Sequence, residues 1–216
     1  MASQIIYGKQ PVAEAERGRR QVQRVWRSPE TSGGELERLC GSPDHQGVVA
    51  EVEPYPYQGP TELLRVENAL LIALDQVQDP RNLGAVARSA EAAGSAGLVV
   101  PERRSAAVTA VACKASAGAV EHLPIAHVRN LADWLGEAKE AGFWIWGADA
   151  GAAQPPWEVD LAGPTVLVLG GEGKGLRPRV ASACDGLVAL PQRGKIDSLN
   201  VSAAAAALLF EAVRQR

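Results

Sequence analysis

Three stretches of this chain set polar side chains among small residues, and each has the makings of a ligand site. The first runs Asp79-Pro80-Arg81-Asn82-Leu83-Gly84-Ala85-Val86-Ala87-Arg88. Asn82 stands where a helix N-cap is expected, and Arg88 follows six residues later, near the same helix face. A guanidinium with an amide nearby suits a phosphate or a ribose, because both present directed donors. The same residues also read as a capped helix carrying a surface arginine. The second stretch is Gly170-Gly171-Glu172-Gly173-Lys174-Gly175-Leu176. Its glycines permit close backbone approach to a ligand, and Glu172 places a carboxylate among them. It matches neither standard phosphate loop. A Walker loop needs Ser or Thr after its lysine, and Lys174 is followed by Gly175; a dinucleotide loop opens the fold, and this one comes late. The third stretch runs from Leu190 through Pro191, Ser198, Leu199 and Asn200 to Ser202, just ahead of an Ala-rich run. Ser and Asn in that position cap a helix or present a ligand site at its mouth.

The hydrophobic pattern predicts the elements that would position these residues. Ala69–Leu74, Gly97–Val100, Phe143–Trp146, Pro164–Leu169 and Gly186–Leu190 are apolar runs of strand length. Helices are expected over Asn82–Ala93 and over Leu199–Val213, with a third where Leu131, Trp134, Leu135 and Ala138 recur at i, i+3, i+4 and i+7. Continuous apolar strands separated by helices predict an α/β fold: a parallel sheet with helices on both faces. In such sheets ligands bind beyond the carboxyl ends of the strands, which is where all three stretches fall. Ahead of this lies a first unit, residues 1–53, with short strands at Gln23–Arg27 and Gly47–Val52 and one helical candidate, Glu35–Cys40. Pro54-Tyr55-Pro56-Tyr57-Gln58-Gly59-Pro60 follows, and residues 54–62 read as a linker, since prolines fix φ and remove donors.

Composition narrows the classes. The 216 residues are 46% hydrophobic and carry a formal net charge of -3, which argues against a protein that coats nucleic acid indiscriminately. Residues 1–29 nevertheless hold Lys9, Arg17, Arg19, Arg20, Arg24 and Arg27 against only Glu14 and Glu16. That basic unit reads either as a face for a phosphate backbone or as an ordinary solvated face. Cys40, Cys113 and Cys184 lie far apart and share no ligand spacing with His45, His122 or His127. No metal site or disulfide framework is expected; buried free thiols are. No apolar run nears 18 residues, so no membrane span is expected. Met1–Gly8 lacks the basic and apolar regions of a secretory leader, and a cytoplasmic location follows as an expectation.

Taken in order, Asn82-Leu83-Gly84-Ala85-Val86-Ala87-Arg88-Ser89-Ala90, then Val166 to Leu176, then Leu190 to Ala206 resemble three motifs of one family. They are similar to those of the SpoU (TrmH-like) branch of the SPOUT RNA methyltransferases, over residues 69–216. Ile6–Val12 and His45–Ala50 resemble the ends of that family's L30e-like RNA-binding domain. Val99–Ala106 and Leu209–Arg216 resemble the bacterial 23S rRNA guanosine 2'-O-methyltransferases within the branch. The resemblance implies a C-terminal trefoil knot, a rare exception to unknotted topology. It implies S-adenosylmethionine held by Gly170, Leu190 and Leu199, and catalysis by Arg88 with Asn82, Glu172, Ser198 and Asn200. A guanidinium stays protonated in proteins, so the physical role expected of Arg88 is electrostatic rather than that of a base. The implied organisation is a shortened L30e-like domain at 1–53, the linker at 54–62 and a methyltransferase domain at 63–216. The implied partners are RNA, with 23S rRNA first and tRNA second, and a second copy of the chain in a homodimer, with neither membrane nor metal. The alternatives are a tRNA or thiopeptide-resistance rRNA adenosine methyltransferase, or an inactive RNA-binding assembly protein.

Overall fold

The computed structural model describes residues 3–171, 173, 175–195 and 198–216. In chain order the elements are β1 (Gln4–Tyr7), α1 (Lys9–Ala15), β2 (Val22–Arg27), α2 (Gly33–Cys40), β3 (Val48–Val52), α3 (Pro60–Leu63), β4 (Leu70–Asp75) and α4 (Pro80–Ala92). There follow β5 (Gly97–Pro101), α5 (Ala110–Ala115), β6 (Ile125–Val128), α6 (Leu131–Glu140), β7 (Trp144–Ala148), β8 (Thr165–Gly170), α7 (Pro178–Ala183), β9 (Gly186–Val188) and α8 (Val201–Gln215).

The expected parallel sheet is present. Six strands lie in the order β6-β5-β4-β8-β7-β9, every pair parallel. Successive side chains of a strand point to opposite faces. Leu70, Ile72 and Leu74 of β4 therefore join one core with Leu83, Val86 and Ala90 of α4 and Leu208 and Leu209 of α8. Leu71 and Ala73 join a second core with Leu131, Leu135 and Ala138 of α6 and Val180 of α7. This is why the strands read as continuous apolar runs: both faces are covered.

Two strands escaped the sequence reading. β6 is four residues long and is interrupted by His127, and β1 carries only three apolar residues after Gln4. β1, β3 and β2 form a small antiparallel sheet in that order. Helix α4 begins two residues earlier than expected. Asp79 is its N-cap, its side chain accepting from the Arg81 N–H at 2.8 Å, and Pro80 takes the first turn. Asn82 is thus inside the helix rather than its cap, and its side chain is released for another task. Helix α8 begins two residues later than expected, with Asn200 as its cap.

The Pro- and Tyr-rich segment is an anchored strap. The Gln58 N–H donates to the Ile125 carbonyl at 2.9 Å, bridging the exposed edge of β6. The Tyr55 hydroxyl donates to the Leu123 carbonyl at 2.8 Å, and the Tyr57 ring stacks on His127 at 3.7 Å. Ile6, Val12, Val48, Ala50 and Val52 of the small-sheet unit share a core with α4, α5 and β4. The basic cluster at 1–29 stays at the surface apart from Arg20, but four of its members are engaged by contacts within the molecule. Arg20 is buried against Glu121; Arg19 donates to the Tyr55 hydroxyl and the Leu123 carbonyl; Arg17 and Arg27 pair with Glu14 and Glu16. Of the cysteines only Cys113 is buried, and all three are free. Burial pushes the Cys113 thiol up to about 11 and that of Cys184 up to about 12.

Candidate functional site

The carboxyl ends of β7, β8 and β9 open onto a cavity of about 460 Å³. That volume is within the range of about 300–1,000 Å³ that holds a drug-sized ligand. Gly170 and Gly171 form one wall, Leu190 and Val188 another, and Ser198, Leu199 and Val201 close it from the mouth of α8. Ala148, Asp149 and Ala150, the turn after β7, complete the rim.

Glycine is obligatory at the wall. An ideal Cβ on Gly170 falls 2.1 Å from the Gly175 carbonyl carbon, because the loop folds back on itself in a bridge between Gly171 and Gly175. A Cβ on Gly171 falls 2.5 Å from the carbonyl oxygen of Gln76. Both contacts are with backbone, so nothing yields. The wall offers a ligand main-chain groups and small apolar surface in place of charged side chains. This cradle fits a bent nucleoside cofactor better than it fits a triphosphate. Among the described residues no cluster of three or more His, Cys, Asp or Glu could hold a metal ion.

The sequence-derived residues divide into three groups. Gly170, Leu190, Leu199 and Ser198 line the cavity. Asn82 and Asn200 meet at its edge: the Asn200 side-chain amide donates to the Asn82 side-chain oxygen at 3.1 Å. Asn200 also accepts from the Ser202 N–H at 2.8 Å and from its hydroxyl at 2.6 Å. One side chain thus caps α8 and fastens it to α4. Arg88 stands apart. It is exposed on α4 and does not line the cavity. Six residues amount to about 600° of helix, so Arg88 points some 120° away from Asn82, contrary to the shared face expected from the sequence. Glu172 lies outside the described residues.

Two residues of this site were not singled out in the sequence. Asp75 ends β4 and is fully buried. Its carboxylate accepts from the Arg177 N–H at 2.9 Å and from Arg177 Nε at 2.7 Å. The signal was a charge closing the otherwise apolar strand Leu70-Leu71-Ile72-Ala73-Leu74-Asp75, with an arginine just past the glycines.

Comparison with known proteins places this geometry. The model of the SpoU rRNA methylase family matches residues 69–210. An uncharacterized tRNA/rRNA methyltransferase of Mycolicibacterium gilvum is 46% identical over 187 residues, which cover 84% of this chain and 60% of that protein. The chain therefore spans 60% of that relative's length, less than two thirds. A Bacillus subtilis protein assigned to the TrmH family of tRNA/rRNA methyltransferases is 36% identical, over 98% of this chain and 95% of its own. The crystal structure of an AdoMet-bound rRNA methyltransferase from Sinorhizobium meliloti superposes with a TM-score of 0.86 at 25% identity, covering 98% of this chain and 87% of that one.

Proposed function

Because the chain belongs to the SpoU rRNA methylase family, we propose that it methylates a ribose 2'-hydroxyl in RNA, using S-adenosylmethionine held in the cavity at the ends of β7, β8 and β9. The observation that carries the reading is the Asn82–Asn200 hydrogen bond. It joins the first and third chemistry-bearing stretches at the edge of a cavity walled by the second. Residues 1–53 are read as a reduced RNA-docking unit and 63–216 as the methyltransferase unit.

The cofactor supplies an electrophilic methyl group on a sulfonium. Gly170 gives the site a wall of main chain, and Leu190 and Leu199 give it apolar surface. Ser198 and Asn200 face the ribose from the mouth of α8 and orient its hydroxyl. Held by Gly170, Leu190 and Leu199, the cofactor would supply its methyl group to the ribose oxygen, its sulfur leaving as a neutral thioether and the hydroxyl proton passing to solvent. Glu172, outside the described residues, is assigned a catalytic role on the family motif alone. Arg88 holds the adjoining phosphate and stabilises negative charge as it grows on the oxygen.

The outward direction of Arg88 supports its action on the site of a second copy. Ala203, Ala207, Phe210 and Val213 make an exposed small and apolar stripe along α8, with Phe210 49% exposed. A homodimer would cover this stripe. The knot expected of the family is supported by the path of the chain. After β8 it forms β9 beyond β7, then returns as α8 onto α4 and β8. Resemblance to an rRNA methyltransferase over 98% of the chain, small sheet included, supports rRNA as substrate; a 23S guanosine is the first target to test on the sequence resemblance of Val99–Ala106 and Leu209–Arg216 alone.

Replacing Arg88 with Ala is expected to abolish methyl transfer in a tritiated-methyl assay on unmethylated rRNA, with S-adenosylmethionine binding by calorimetry retained. Near-normal turnover would overturn the assignment. Wild-type protein that binds RNA but not the cofactor would favour the inactive assembly protein. Mapping 2'-O-methyl groups in total RNA from a strain lacking the gene identifies the nucleotide, in rRNA or tRNA.

A further inference from the structure

The glycine wall of the cavity poses a physical problem. Glycine loses more conformational freedom on ordering than any other residue, and this loop has four in six positions. A loop of that composition gives a fixed wall only if its ends are held. Both ends are held by the same residue. The Asp75 main-chain carbonyl accepts from the Gly171 N–H at 2.8 Å, where the loop begins. The Asp75 carboxylate accepts from the Arg177 N–H at 2.9 Å and from Arg177 Nε at 2.7 Å, where the loop ends, and Arg177 Nη2 lies 2.7 Å from Oδ1. The next residue, Gln76, sits at φ +62 with its carbonyl packed against Gly171.

We propose that Asp75 and Arg177 are positioning residues that close the glycine loop into the cofactor-binding conformation. This rests on reading the cavity as the S-adenosylmethionine site. A sixth apolar residue would have suited β4, whose other five are buried and apolar. A carboxylate with no exposed surface is costly unless paired and hydrogen-bonded, and among the described residues its side-chain partners come from one residue at the loop's exit. Arg177 itself keeps 43% of its side chain in solvent, so it reaches inward from the rim. Among the described residues the pair's hydrogen bonds and ion pair run to the glycine loop and not to Ser198, Asn200 or the small sheet, so its effect is expected on cofactor binding.

The test is calorimetric titration of S-adenosylmethionine into the full chain and its Asp75→Asn, Arg177→Lys and Arg177→Ala variants. Beside it run binding of rRNA from a strain lacking the gene and steady-state methyl transfer. Asp75→Asn is expected to weaken the cofactor at least tenfold and to raise its KM accordingly, with kcat falling less than threefold and RNA affinity unchanged. Arg177→Lys retains the charge and the main-chain donor but loses the fork, so it should fall between wild type and Arg177→Ala. If Asp75→Asn does not fold, the two Arg177 variants carry the test, since their changed atoms lie at the rim. Folded variants that bind the cofactor as wild type does overturn the clamp. So does a parallel loss of RNA affinity, which would mark a general structural role. Wild type that binds no S-adenosylmethionine overturns the cofactor reading itself, a separate result.

Discussion

Among the described residues two carboxylates are stripped of solvent, and each meets one arginine. Glu121 meets Arg20 at the seam between the small sheet and the large one; Asp75 meets Arg177 beside the cavity. At the seam both side chains are fully covered. Arg20 Nε donates to Glu121 at 2.9 Å, and its remaining nitrogens reach Gln4 and the Cys113 thiol. At the cavity only the carboxylate is covered, and the arginine half faces water. Both pairs join residues about a hundred apart in sequence, 101 at the seam and 102 at the cavity. The seam pair lies between two sheets, and the pocket pair ties the exit of the glycine loop to the end of β4. The difference separates permanent architecture from a site that must admit and release a ligand. A closed pair is costly to break, whereas a pair with one solvated partner relaxes toward water.

The comparison can be broken at four points, beginning with the largest effect. Glu121→Ala leaves Arg20 buried without a counter-charge and is expected to lower unfolding free energy by about 3–5 kcal/mol in urea titrations. Cofactor affinity of the folded fraction should be unchanged; a loss below about 1 kcal/mol would show that the seam is open to water. Gly170→Ala should reverse that pattern. Its Cβ meets the Gly175 backbone, and relieving the clash costs about 1–3 kcal/mol of loop geometry. Cofactor binding should drop at least about tenfold, with a smaller loss of stability. Equal losses of binding and stability would erase the distinction between seam and pocket.

The strap gives two smaller effects. The Tyr57 hydroxyl accepts from the Val108 N–H at 2.9 Å. Tyr57→Phe keeps the ring on His127 and is expected to cost about 1 kcal/mol, read from the urea midpoint. His127 itself supplies a pH signature. Burial beneath the strap pushes its pKa below the usual 6.5, with nearby Glu102 partly opposing. In the unfolded chain the ring takes up a proton near that value, while in the folded protein it does so only at lower pH. Unfolded molecules then bind more protons, so stability falls as pH drops below about 6.5. The melting temperature should decline from pH 7 to pH 5 in wild type, and less steeply in His127→Phe, where the stack persists. Parallel slopes would show that the strap leaves His127 in water.

The large sheet was legible because both its faces are covered, so β4, β5 and β8 had to be apolar along most of their length, with Asp75 and Thr165 as the buried polar exceptions at strand ends. Strand β6 was not legible, because four residues with a histidine among them carry too little pattern. Its edge is covered by Gln58, a contact across 68 residues of chain that no local signal announces. Asn82 was recognised as a site residue through its motif, yet as a cap it was displaced by Asp79. The Asp79-Pro80 pair is the stronger helix start, and only the approach of Asn200 gives the Asn82 side chain its use.

The sequence by itself determined the layers, the family and the stretches that carry chemistry, because hydrophobic period and motif order are local properties. Tertiary structure alone decided that, of the six cations in residues 1–29, Arg20 is buried while the other five stay exposed. Four of the six in residues 1–29 were drawn into contacts with the strap, with Glu121 or with neighbouring acids. It also decided that Asp75 holds both ends of the glycine loop. Desolvation and pairing depend on what packs against a side chain, and that is fixed only when distant segments meet.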